Sequence, residues 1–142
     1  MATPTPTTYT QWDGSSGFLM WNAAWSTTDN FSDSVLVDIS TLGAVGANAL
    51  LNSVKVTKID CQTNGDITAL LEFDATTDQT IDFFAGQSDV SVVDVADYRD
   101  GPNGGRVPSI SAAGFTGDIL LTTTNVASGD ELTLRIWFKR KT

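Results

Sequence analysis

The sequence predicts an all-β domain: an antiparallel β-sandwich or small barrel of about eight strands, preceded by an extended arm. Two observations carry this. Acidic residues are almost all Asp, with only Glu72 and Glu131 as exceptions, and Thr is the commonest residue type, so turn and strand formers abound while good helix formers are scarce. Period-two alternation of apolar residues also recurs along the chain, broken by turn residues roughly every eight to twelve positions. With 142 residues, 41% of them hydrophobic, the chain suits one domain with its own core, assigned to residues 17–142.

Residues 1–16 (MATPTPTTYTQWDGSS) alternate Pro4 and Pro6 with Thr and hold only Tyr9 and Trp12 as large aromatic groups. Such a segment is extended and cannot bury enough surface to fold alone, so it is expected to dock along a neighbouring subunit or across the domain's own sheet. The next stretch, 17–26, is apolar and reads as strand or irregular structure, with Trp21 and Trp25 expected in the core. Residues 33–39 (DSVLVDI) put Val35, Val37 and Ile39 on one face of a strand. Residues 42–51, rich in Ala and Gly, read as a short helical turn or a loop.

From Ser53 the alternation becomes regular. Val54 and Val56 change phase to Ile59 and Cys61 across Thr57 and Lys58, which a β-bulge would explain. Asn64-Gly65 is a hairpin signal. Ile67, Ala69, Leu71 and Phe73 then share a face, followed by a polar turn at 74–78, a strand at 80–85 ending at Gly86, and an ambiguous run at 90–95. Residues 97–108 (DYRDGPNGGRVP) must form a surface loop. Beyond it, 119–124 and 131–139 are expected as two arms of a hairpin around 125–130. The second arm is the best amphipathic strand in the chain: Leu132, Leu134, Ile136 and Phe138 face in, while Thr133, Arg135, Trp137 and Lys139 face out.

Composition excludes several functions. No His is present, which removes the commonest general base, the His-dependent nucleophile systems and the commonest transition-metal ligand. A net charge of −9 argues against nucleic acid. One cysteine, Cys61, allows neither an internal disulfide nor a paired-Cys metal site and reads as a buried apolar residue. No apolar stretch reaches the length of a membrane span and no secretion signal is seen, so no membrane partner is expected. Asp97, Asp100 and Asn103 lack the ligand order of a calcium loop, and close carboxylate pairs, Asp78 with Asp82 and Glu72 with Asp74, are expected by chance among 17 acids. The expectation is therefore no catalytic site, no cofactor and no metal. The better lead is the aromatic set, since an exposed indole anchors a protein partner or a sugar ring. Trp137 faces outward, and Arg135, Lys139, Arg140 and Lys141 crowd the basic end of an acidic body.

The segments FDATTDQTIDFFAGQSDVS, from Phe73, and AAGFTGDILLTTTNVASGDELTLRIWFKRK, from Ala112, carry a resemblance. The second resembles the C-terminal hairpins of small β-rich structural proteins of tailed bacteriophage particles, and the likeness covers about half the chain. It implies a non-enzymatic virion component made in the host cytoplasm: a capsid decoration protein on the outer surface of the head. Its partners would be the major capsid protein and further copies of itself, with a trimer favoured. Pro4, Pro6, Tyr9, Trp12, Trp137 and Arg140 are the expected partner-binding residues. The alternative is a carbohydrate- or receptor-binding module, of a tail fibre or a bacterial enzyme, that uses exposed Trp. Aromatics with carboxylate or amide neighbours on a concave face would favour sugar, and aromatics on a flat face would favour assembly.

Overall fold

Alternation of buried and exposed side chains runs through most of the nine strands of the computed structural model, which describes residues 3–42, 53–87 and 90–140. These are β1 (Thr7–Trp12), β2 (Ser16–Ala24), β3 (Ser34–Val37), β4 (Val54–Asn64), β5 (Thr68–Phe73), β6 (Gln79–Ala85), β7 (Ser91–Asp97), β8 (Ile119–Thr124) and β9 (Glu131–Arg140). A single 3₁₀ turn at Ile39–Thr41, capped by the Asp38 carboxylate on Ser40 N, is the only helical element among the described residues. None is long and apolar enough to cross a membrane. The strands form two antiparallel sheets, β1-β2-β9-β4-β7 and β3-β8-β5-β6, which is a β-sandwich.

The pairing has one simple logic. Setting β1 aside, β2 pairs with β9, β3 with β8, β4 with β7 and β5 with β6. The chain is thus a long antiparallel ribbon folded back at the β5–β6 turn and wound around a common core, which is the jelly-roll arrangement. This overturns two expectations. Asn64-Gly65 does not close a hairpin, because β4 and β5 lie in different sheets, and 119–124 and 131–139 are not hairpin arms, because β8 and β9 also lie in different sheets. Both turns carry the chain from one layer to the other. Gly65 takes φ 99° there, and a Cβ on it would fall 2.2 Å from the Asp130 carboxylate of the second crossing.

The core fills the space between the sheets. Leu132, Leu134, Ile136 and Phe138 of β9 are buried, as are Ile67, Ala69, Leu71 and Phe73, and β9 is the central strand of the five. Trp21 and Trp25 are buried around Phe31 in edge-to-face contacts, with ring centroids 5.4 and 5.7 Å from that of Phe31, and Cys61 is buried in the same core cluster. The phase change in β4 is a register shift between Val56 and Lys58 against β9, as expected for a bulge at Thr57. The β3 pattern is corrected. Its pairing with β8 shifts between Val35 and Val37, so Val37 turns inward, Val35 is left 53% exposed, and Ile39 belongs to the 3₁₀ turn. The ambiguous run at 90–95 is the edge strand β7. Of the 42–51 stretch only Leu42 is among the described residues, half-buried against the core.

Candidate functional site

The outer face of the five-stranded sheet gathers the aromatic lead. Inward burial of Leu132, Leu134, Ile136 and Phe138 forces the alternate β9 residues outward, and register extends each of them into a row across the sheet. One row runs Gln11, Phe18, Trp137, Lys58, Asp97; the next runs Tyr9, Met20, Arg135, Asp60, Val95. Val93 stands on the same face in the third row, opposite Gln62. Tyr9, Met20, Val93 and Val95 are exposed and Phe18 and Trp137 half-buried, so six apolar side chains punctuate a face that no described element covers.

Trp137 is the centre of this face. Its ring lies 5.0 Å from that of Phe18, tilted by 45°, and the Lys58 ammonium sits 4.8 Å from its centroid. The bulge helps hold it, since the Thr57 hydroxyl donates to the Trp137 carbonyl at 3.1 Å. Two grooves flank the ring. The larger, about 510 Å³, is lined by Gln11, Asp13, Ser16, Gly17, Phe18 and Trp137, and the smaller, about 280 Å³, brings Lys58, Arg99 and Lys139 to the other side of Trp137. Asp13 accepts from the backbone N–H groups of Ser16 and Ser15 at 2.7 and 2.9 Å, which hold its carboxyl below the ordinary value. An anionic, amide-bearing groove and a cationic one therefore meet at a single indole.

The other expected residues scatter. Trp12 faces inward: it packs on the core and stacks on Phe138, with centroids 5.7 Å apart and planes 13° apart. Pro4 and Pro6 are half-buried just before β1, and Tyr9 is on the outer face. Arg140 ends β9, where its N–H donates to the Ser15 carbonyl at 2.8 Å. The structure thus brings Tyr9 and Trp137 to one face and places Trp12 on the opposite side of the same sheet.

In the loop at 97–108, Asp97 and Asn103 each meet a cation. Asp97 is paired with Arg99 at 2.5 Å, whose hydrogen bonds hold its carboxyl down at about 2, and the Asn103 carbonyl accepts from Lys55 at 3.1 Å. Tyr98 donates to Asp82, and burial together with that bond pushes its phenol up, while Arg106 lies 4.9 Å over its ring. Cys61 is pushed up to about 12, first by burial and then by Asp94 and Asp82, so it remains an unreactive thiol.

One carboxylate cluster was not visible in the sequence. Asp33, Glu72 and Asp78 each bring an oxygen within 4.8 Å of the others on the four-stranded sheet. Burial, then Asp78 and Asp33, raise the Glu72 carboxyl. In sequence Glu72 lies near Asp74 and Asp78 near Asp82, and only the β3–β8–β5–β6 pairing supplies Asp33. Oxygen donors of this kind suit hard cations. Comparison with known protein families, with curated proteins and with solved structures found no match.

Proposed function

We propose that this protein is a non-enzymatic structural component of a virion, a capsid decoration protein that docks through the outer face of its five-stranded sheet. The observation that carries the reading is that face: Tyr9, Phe18, Met20, Trp137, Val93 and Val95 on a layer that solvent alone would favour as polar. The jelly-roll winding supports it as a fold-level analogy, since viral capsid and lectin domains use this architecture. Trp137, centrally placed between Phe18 and Lys58, is the expected hot spot, with Arg135 and Asp60 in the neighbouring row supplying polar specificity. The test is electron microscopy of native particles produced with this chain. Density for the sandwich on the outer head surface, with the five-stranded sheet against the shell, is expected; particles without it, or with the opposite sheet inward, would overturn the assignment.

A second reading rests on the groove itself. Gln11, Asp13 and Ser16 beside Phe18 and Trp137 form the carboxylate-and-amide surround of an aromatic platform that suits a sugar ring. Glycan-array binding by the wild-type chain, lost in both Trp137→Ala and Asp13→Ala, would favour this reading over assembly.

A further inference from the structure

We propose that two copies of this chain join edge to edge through β1, extending the five-stranded sheet across a two-fold axis with Tyr9 of one copy opposite Tyr9 of the other. The inference concerns the sheet edge; it shares Tyr9 with the outer face, but its test reads self-association of the chain alone.

β1 is the outermost strand of its sheet, and no other described strand pairs with its free side. Five of its six residues are exposed, and alternate backbone N–H and C=O groups of an edge strand point away from its only neighbour. Natural edges are normally blunted by charge, by proline within the strand or by a bulge. β1 (TTYTQW) has none of these: it carries no charge, its prolines precede it, and its register with β2 is unbroken from Thr7 to Trp12.

Charge selects this edge among the four. With a net charge of −9, two copies repel, so they meet best where both are neutral. Asp13 is the only charged side chain from Thr3 to Thr28. The opposite edge of the same sheet, β7, carries Asp94 and Asp97, β6 carries Asp82, and β3 is a four-residue strand between Asp33 and Asp38. Isologous pairing along any of these would set carboxylates near carboxylates.

Geometry then fixes the register. Pro6 has no N–H to give, so the usable strand starts at Thr7. Tyr9, Thr7 and Gln11 share the outer face, and directly opposed residues of an antiparallel pair share a face. A joint that keeps both sandwiches on the same side therefore opposes outer residues with outer residues. Centring the pair on the five exposed residues, Thr7 to Gln11, leaves the half-buried Trp12 outside it and puts Tyr9 against Tyr9 and Thr7 against Gln11, with Thr8 against Thr10 on the inner face. An edge joint buries less area than a standard interface, so the dimer is concentration-dependent.

Sedimentation velocity of the full chain, from micromolar to millimolar, tests this together with three kinds of variant. The wild type should double its mass as concentration rises. Tyr9→Lys, which sets like charges opposite one another at a 55% exposed position, should remain monomeric with its melting temperature unchanged. Val35→Lys, exposed on the edge strand β3 of the other sheet, should dimerise as the wild type does. Under oxidising conditions Tyr9→Cys should form a disulfide-linked dimer and Thr8→Cys should not, and the buried Cys61 does not compete. A wild type that is monomeric throughout, a dimer that survives Tyr9→Lys, or cross-linking through Thr8→Cys in preference to Tyr9→Cys would overturn the proposal.

Discussion

Side-chain volume at Gly17 decides how the N-terminal strand seats. A Cβ there would lie 2.3 Å from Phe138 Cε2 and 2.8 Å from Trp12 Cε3, inside the stack those rings make. Gly17→Ala is therefore expected to destabilise by about 1–3 kcal/mol through overpacking, read as a shifted urea midpoint with an unchanged slope. Leu134 is fully buried in the central strand, and Leu134→Ala should cost about 2–5 kcal/mol by the same measurement. Glu72 works in the opposite sense. Burial, Asp78 and Asp33 raise its pKa in the folded state, so folding favours the protonated form and stability falls as pH rises above the ordinary glutamate range through the raised value. Glu72→Gln should remove part of the drop in melting temperature that accompanies a rise in pH above the ordinary glutamate range. Asp118, raised by burial and by Asp38 and Asp74, retains a share of that drop in the variant. Asp97 acts with the opposite sign, and only in strong acid, because Arg99 holds it at about 2.

Among the elements, β1 changed meaning most between sequence and structure. Composition marks residues 1–16 as unable to fold alone, and the structure lays Thr7–Trp12 along β2 of the domain's own sheet while Trp12 closes over Phe138. Deleting residues 1–12 should leave a folded domain with a lower melting temperature, because the Trp12 contact is lost and β2 becomes an unprotected edge. Circular dichroism melts of the truncated and full chains check this; an unchanged melting temperature would make Trp12 a bystander. The β4 bulge is a second element with a structural task. By shifting phase at Thr57 it lets Val56 and Ile59 both face the core, aims Lys58 at Trp137 and gives Tyr98 a backbone partner in the Thr57 carbonyl.

For the whole molecule, the ribbon winding means that most strand pairs join residues far apart in sequence. β2 meets β9 and β3 meets β8, so much loop-closure entropy is lost before packing compensates. Refolding is expected in milliseconds to seconds, slower than a helical bundle of similar length, and stopped-flow Trp fluorescence would measure it. Net charge acts at this scale too. At −9 the folded chain repels itself, so added salt should raise the melting temperature, and more so at neutral pH than near pH 5.

Which residues face the core along the regular strands follows from local sequence alone. The alternation in β5 and β9, the phase break at Thr57, and the burial of Trp21, Trp25 and Cys61 were all legible, because pleating is a local property that each segment writes into its own period of two. The outward aim of Trp137 was legible for the same reason. Which strand pairs with which is settled in the packed fold. Asn64-Gly65 and residues 125–130 carry local hairpin chemistry, yet each spans two sheets, because the edges of β4 are taken by β7 and β9 and those of β8 by β3 and β5. Partner choice also turned Trp12 inward onto Phe138, placed Phe18 and Lys58 on either side of Trp137, and drew Asp33 to Glu72 and Asp78. A strand's face is set by its own side chains, whereas its neighbours are set by the packing of the entire ribbon around one core.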